Sequence, residues 1–197
     1  MNSRQRMIDA TLRLLRSQGL RATGMNQIVS ASSSPRGSIY HHFPGGKEQL
    51  VVEVLWTAGQ VVANRIRDVL DTHQTVAEAL RAYVLAYAEE IRQADFERGC
   101  PVGNVAMDAA ATSPTLRQVC DEIFSGWAEL IARRLEREGH KTGEAAALAQ
   151  FVISAVEGAL ILCRASRSTQ PLEGIAARLE RMLAPAHLSR GIGRTRI

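Results

Sequence analysis

Cysteine is scarce in this 197-residue chain and is not arranged for chemistry. Cys100, Cys120 and Cys163 have neither Cys-x-x-Cys nor metal-ligand spacing, which predicts buried thiols in a reducing compartment and no metal site. Aromatic residues make up only 5%, and no uninterrupted apolar run approaches the roughly 20 residues a membrane-spanning helix needs. No Gly-x-Ser-x-Gly elbow and no phosphate-binding glycine loop occurs, so Ser32, Ser33, Ser34, His41 and His42 have no catalytic setting. Adjacent histidines project in different directions from a helix, which excludes the pair as a chelate. No enzyme and no cofactor is expected. Internal repeats and β-type alternation are also lacking; apolar residues recur at helical spacing, so the chain is expected to be all-α. It begins Met-Asn-Ser-Arg-Gln-Arg and leads into an amphipathic helix rather than an apolar secretory core, which predicts a cytoplasmic protein without membrane association.

What is present is a lopsided charge. The chain carries a net +4, but residues 1–47 hold Arg4, Arg6, Arg13, Arg16, Arg21, Arg36 and Lys47 against Asp9 alone. That segment is therefore +6 and the remainder −2. A basic head on a near-neutral body is the electrostatic footprint of phosphate binding.

The head also carries the most specific pattern. A first helix is expected from about Arg4 to Gln18, with Ile8, Thr11, Leu12 and Leu15 inward and Gly19-Leu20 as a left-handed cap. Thr23 or Gly24 can cap a second, carrying Met25, Ile28 and Val29. Ser32-Ser33-Ser34 interrupts it. Ser34 is expected to cap a third, with Pro35 at the first helical position, stopped two turns later by Phe43-Pro44-Gly45-Gly46. Ile39 and Phe43 are its apolar anchors, whereas Arg36, Gly37, Ser38, Tyr40 and His41 are exposed. A short helix, basic at its start and polar outside, suits end-on entry into a DNA major groove. The next helix starts at Lys47 and runs to about Leu70. A lysine in its first turn opposes the helix dipole, and a DNA phosphate at that terminus would account for it.

From Thr23 through Leu50 the chain resembles the DNA-binding half of the TetR family of transcriptional regulators. Thr23…Ile28…Ala31, Arg36-Gly37-Ser38-Ile39-Tyr40-His41-His42-Phe43 and Lys47-Glu48-Gln49-Leu50 carry the likeness. The stretch Pro35–Glu48 is most similar to the LmrA/YxaF-like subgroup. The family usually has glycine where this chain has Ser33, so a serine at positive φ would store about 1 kcal/mol of strain. The resemblance implies a dimer, a larger domain that binds a small molecule, and a reading head whose spacing that ligand changes.

The body fits this outline. Thr75-Val76-Ala77-Glu78 is a capping box, Gly99-Cys100-Pro101 breaks the chain, and Ser113-Pro114, Thr142 and Gln170-Pro171 open further helices. The helix to Ser166 is apolar on almost every side and is expected to be buried on more than one face. Paired with the last helix across a two-fold axis it would form a four-helix dimer bundle through Phe151, Val152, Ala155, Ala159, Leu162, Ile175, Leu179 and Met182. Trp56, Tyr83, Tyr87, Phe96, Met107, Phe124 and Trp127 are the bulky candidates for an apolar or aromatic effector site. The sequence thus predicts a helix-turn-helix domain over 1–47, a ligand-binding and dimerisation domain over 48–185 and a flexible tail over 186–197. The expected function is that of a homodimeric repressor, bound to a palindromic operator and released by a small effector. Arg36 is the expected base contact and Thr23, Tyr40 and Lys47 the phosphate contacts, among Ser34, Pro35, Gly37, Ser38 and His41. Two alternatives stay open: an architectural DNA-binding protein without effector, and a redox-sensing regulator using Cys100, which follows Gly99 at a helix start where a thiolate is favoured.

Overall fold

A computed structural model describes residues 2–35, 37–109 and 111–183. The described residues form nine helices and no strand: α1 (Ser3–Gln18), α2 (Met25–Ala31), α3 (Ser38–His42), α4 (Gly46–Thr72), α5 (Val76–Gln93), α6 (Pro101–Ala109), α7 (Pro114–Arg137), α8 (Thr142–Ser166) and α9 (Gln170–Met182). The expected tail, 186–197, lies outside the described residues. The chain divides into two compact units, Met1–Val62 with Ala94–Phe124, and Ala63–Gln93 with the described part of Ser125–Ile197. The sequence boundary at 47/48 falls inside the first unit, in the first turn of the 27-residue α4.

In the first unit α1 packs on α2, α3 and α6. Met7, Leu15, Ile28, Ile39, Phe43, Leu50 and Leu55 are its fully buried large side chains among the described residues. Asn2 opens α1 two residues before the expected start, its Oδ1 accepting the Gln5 amide at 2.9 Å. Gly19 closes it with φ 77° as anticipated, but its ψ of −175° is not the left-handed helical value. That conformation is open essentially to glycine alone.

In the second unit α5 and α8 both pack on α9. The capping box forms in both directions: the Glu78 amide donates to Thr75 Oγ1 and the Thr75 amide to Glu78 Oε2, each at 3.2 Å. Arg134 of α7 closes the chain between α4 and α5. Its guanidinium donates to the Leu70 and Gln74 carbonyls and to Glu138 Oε1, which also accepts the Val76 amide. Pro171 stands in the first turn of α9, as its fixed φ favours.

Helix α8 departs from expectation. Ala145, Ala149, Val152, Val156, Ala159, Leu160 and Cys163 form a buried stripe, while Phe151, Ile161 and Leu162 on other sides are exposed, Leu162 by 59%. Within one chain it is therefore buried on one face only. By length and composition it could cross a membrane. Its contact with α9 makes it a core helix instead.

Candidate nucleic-acid interface

The helix-turn-helix is α2, α3 and the segment between them. Three α1 side chains support it from below, none of which its charge count reveals. The Arg4 guanidinium lies 5.2 Å from the Phe43 ring centroid and pairs with Glu53 of α4. Arg6 Nε donates to the Ser32 carbonyl at 3.1 Å, serving the end of α2. Ser3 Oγ donates to Ser34 Oγ at 3.1 Å.

Helix α2 ends in a Schellman arrangement. The Ser34 amide donates to the Val29 carbonyl at 3.3 Å and the Ser33 amide to the Ser30 carbonyl at 3.1 Å. Such a closure needs a positive φ at the residue after the cap, and Ser33 takes it at φ 50°. The expected strain is therefore present, in a side chain exposed to solvent.

Two site residues read from the sequence are corrected here. Thr23 is 0% exposed, and its hydroxyl donates to the Gly19 carbonyl at 2.6 Å. It closes the α1–α2 turn and neither caps α2, whose N-cap is Gly24, nor presents a hydroxyl outward. Ser34 is buried as well. Its hydroxyl accepts from Ser3 and donates to the Ser32 carbonyl at 3.3 Å, so α3 has no side-chain cap. Consequently α3 begins at Ser38 rather than Pro35, and the Pro35 carbonyl accepts both the amide and the hydroxyl of Ser38, at 3.0 and 2.6 Å.

The remaining positions agree better with the sequence reading. Ile39 and Phe43 are buried anchors. Tyr40 is 64% exposed, and Pro35, Gly37 and His41 are exposed around it, with Ser38 half-buried. Arg36 lies outside the described residues. Lys47 Nζ, at the head of α4, donates to the Leu20 carbonyl at 2.8 Å. Burial draws this ammonium below its ordinary value, and the charge of Asp108 opposes the shift.

Asp108 and Asn104 of α6 were not anticipated. Asp108 Oδ2 accepts the Leu20 and Arg21 amides at 2.7 and 3.1 Å, and Asn104 Nδ2 donates to the Leu15 and Arg16 carbonyls at 2.9 and 3.2 Å. Their i, i+4 spacing was the only available signal, and many exposed helix faces share it. Cys100 stands buried at the head of α6, its Sγ accepting the Gly103 amide at 3.4 Å.

The effector candidates are divided between the two units. Trp56, Phe96, Met107 and Phe124 belong to the first unit, and Tyr83, Tyr87 and Trp127 to the second. Met107 is 62% exposed. The Tyr83 and Tyr87 rings lie 6.2 Å apart and are half-buried. A groove of about 400 Å³ in the second unit is lined by Ser125, Ala128, Ala132, Arg133, Thr142 and Ala146 among others, and by none of the seven. Of the expected dimer residues, Val152, Ala159 and Leu179 are already buried within their own chain. Phe151, Leu162 and Met182 are exposed, and Ala155 and Ile175 half-buried.

Comparison with known proteins bears on this geometry. Residues 7–54 match the bacterial regulatory proteins of the tetR family, and residues 76–178 match the LmrA/YxaF-like transcriptional regulator C-terminal domain. The chain belongs to the TetR family. It is similar to the HTH-type transcriptional regulator YxaF of Bacillus subtilis, 34% identical over 178 residues that cover 90% of this chain and 93% of the relative. It is also similar to HTH-type transcriptional regulator LmrA of the same organism, 31% identical over 89% of this chain and 94% of the relative. Among solved structures, a TetR transcriptional regulator from Legionella pneumophila superimposes with a TM-score of 0.84 at 23% identity, covering 92% of this chain and 97% of that one. As a TetR-family protein the chain is a DNA-binding transcriptional regulator and not an enzyme.

Proposed function

We propose that the protein represses transcription as a homodimer on a palindromic operator and leaves it when a small apolar or aromatic effector binds. The observation that carries the reading is the exposed outer surface of α3, with Tyr40 and His41 outward on a base anchored by Ile39 and Phe43. Arg36 is the proposed base contact, from its place between Pro35 and Gly37 at the entrance to α3. Tyr40 and Lys47 are the proposed phosphate contacts, with Gly37 and Ser38 allowing close approach. A five-residue helix makes few base contacts, so a second copy reading an adjacent half-site supplies the affinity that one lacks.

The dimer reading is supported by the open apolar side of α8. Phe151, Ile161 and Leu162 are exposed there, and a Cβ at Gly158 would meet nothing within 4 Å. An isologous contact with a second α8 would bury this side while each chain keeps its own α9. Repression then follows from occupancy, since a dimer seated on promoter DNA excludes polymerase. An effector releases it only by binding one arrangement of the reading heads better than the other. The half-buried Tyr83–Tyr87 pair is a surface that a flat apolar molecule would extend.

Selection of binding sites from random duplexes by the full chain tests the proposal. An inverted repeat is expected, with half-sites about one helical turn or a multiple apart. Arg36→Ala should relax the selected sequence and weaken binding by about 1 to 3 kcal/mol. Sequences without two-fold symmetry, or an Arg36→Ala protein that selects the same motif, would overturn it.

A further inference from the structure

The peptide group joining Leu20 to Arg21 is held at both ends by opposite charges. Its carbonyl oxygen accepts from the Lys47 ammonium at 2.8 Å, and its N–H donates to the Asp108 carboxylate at 3.1 Å. The same carboxylate oxygen accepts the preceding amide, Leu20, at 2.7 Å. A cation on the oxygen and an anion on the N–H polarise one amide in the same sense, so each bond strengthens the other. The carboxylate comes this near only because residue 19 is glycine: a Cβ there would lie 2.8 Å from Asp108 Oδ2. One turn earlier on α6, Asn104 takes the Leu15 and Arg16 carbonyls, and the Gly99 amide donates to Arg16 as well, at 2.9 Å. Both carbonyls lie in the last turn of α1, where intrahelical donors run out, and Leu15 also accepts the Gly19 amide. They are satisfied by a segment more than 80 residues away in sequence.

We propose that Asp108 is a positioning residue for DNA binding: through the Leu20–Arg21 peptide it fixes where Lys47 presents its ammonium to a phosphate. The proposal rests on Lys47 as a phosphate contact. Simple electrostatics gives the opposite expectation. A carboxylate close to the DNA-facing lysine repels phosphate, so removing a bystander charge tightens binding to every duplex. Removing a positioning charge loosens the turn and weakens binding. The sign separates the two roles.

The test uses the full chain, a fluorescent duplex recovered by the selection above, and a mixed-sequence duplex of equal length. Asp108→Ala is expected to weaken binding to the selected duplex about tenfold, the scale of losing charge-assisted hydrogen bonds. Asp108→Asn keeps the shape and one accepting oxygen, should lose less, and serves if the alanine variant does not fold. Amide hydrogen exchange should speed up at Leu20 and Arg21 in either variant, with α8 and α9 unchanged. Combining Asp108→Ala with Lys47→Ala should weaken binding little beyond Lys47→Ala alone, because both act through one ammonium. Unchanged or tighter binding by the Asp108 variants, or losses that multiply in the double variant, overturns the proposal. An unaltered affinity and salt dependence for Lys47→Ala would instead remove Lys47 as a phosphate contact, whatever the Asp108 variants do.

Discussion

Gly19→Ala is the substitution on which the account of the first unit can be tested most sharply. Gly19 has φ 77° and ψ −175°, a region that costs a residue with a Cβ about 1 to 3 kcal/mol. Its added Cβ would also stand 2.8 Å from Asp108 Oδ2, well inside contact distance. Relief requires the carboxylate to retreat from the Leu20 and Arg21 amides, at about 1.5 to 3 kcal/mol for a hydrogen bond to a charged group. Together these give a loss of about 2.5 to 6 kcal/mol. Gly139 is an internal control, since its φ is 98° but a Cβ there meets nothing within 4 Å. Gly139→Ala carries only the backbone part, about 1 to 3 kcal/mol. Urea unfolding at one fixed protein concentration measures both variants and removes the concentration dependence of a dimer. In a Gly19→Ala, Asp108→Ala double variant the steric part should vanish and the backbone part remain, so the two losses should not add. A Gly19→Ala protein no less stable than Gly139→Ala would refute the close approach of Asp108.

Other consequences can be checked separately. Ser33→Gly removes the positive-φ penalty, about 1 to 2 kcal/mol, against the larger backbone entropy of glycine, so it should stabilise the chain by about 0.5 to 1 kcal/mol in the same assay; a loss would refute the Schellman closure of α2. Burial pushes the Cys120 thiol up to about 11 and raises Cys163 as well. The protonated form is thus favoured throughout the neutral range, and iodoacetamide should modify both slowly at pH 7.5, Cys120 accelerating as pH approaches 11. Rapid modification of Cys120 or Cys163 in the folded protein at neutral pH would contradict their burial. Leu162→Glu places a charge on the open side of α8 and should give a monomer in sedimentation with greatly weakened DNA binding; a dimer of wild-type stability would exclude that side from the interface.

Local chemistry was legible in the sequence, and remote partnership was not. Thr75-Val76-Ala77-Glu78, Ser113-Pro114 and Gln170-Pro171 all mark helix starts, because their groups act within four residues along the chain. The anchors Ile39 and Phe43 follow from apolar spacing alone. Ser34 was misread because its hydroxyl could serve the following helix or a distant group, and Ser3, 31 residues away, decided the matter. Thr23 was drawn inward by the Gly19 carbonyl for a similar reason. The arginine count identified a basic head but not that Arg4 and Arg6 are structural parts of it. Asp108 and Asn104 left only an unspecific i, i+4 spacing, since the groups they serve lie on α1 and the turn after it. For α8, apolar residues on all sides suggested burial on more than one face, but among the described residues only one face is buried, and a single sequence does not distinguish a face buried at home from one left open.

The most direct test of sequence-specific regulation by this head is the dissociation constant for the selected duplex beside a scrambled duplex of equal composition, at two salt concentrations. The account predicts a preference of about a thousandfold or more for the selected duplex, with affinity for both falling as salt rises. Equal affinity for the two duplexes at either salt concentration would contradict it.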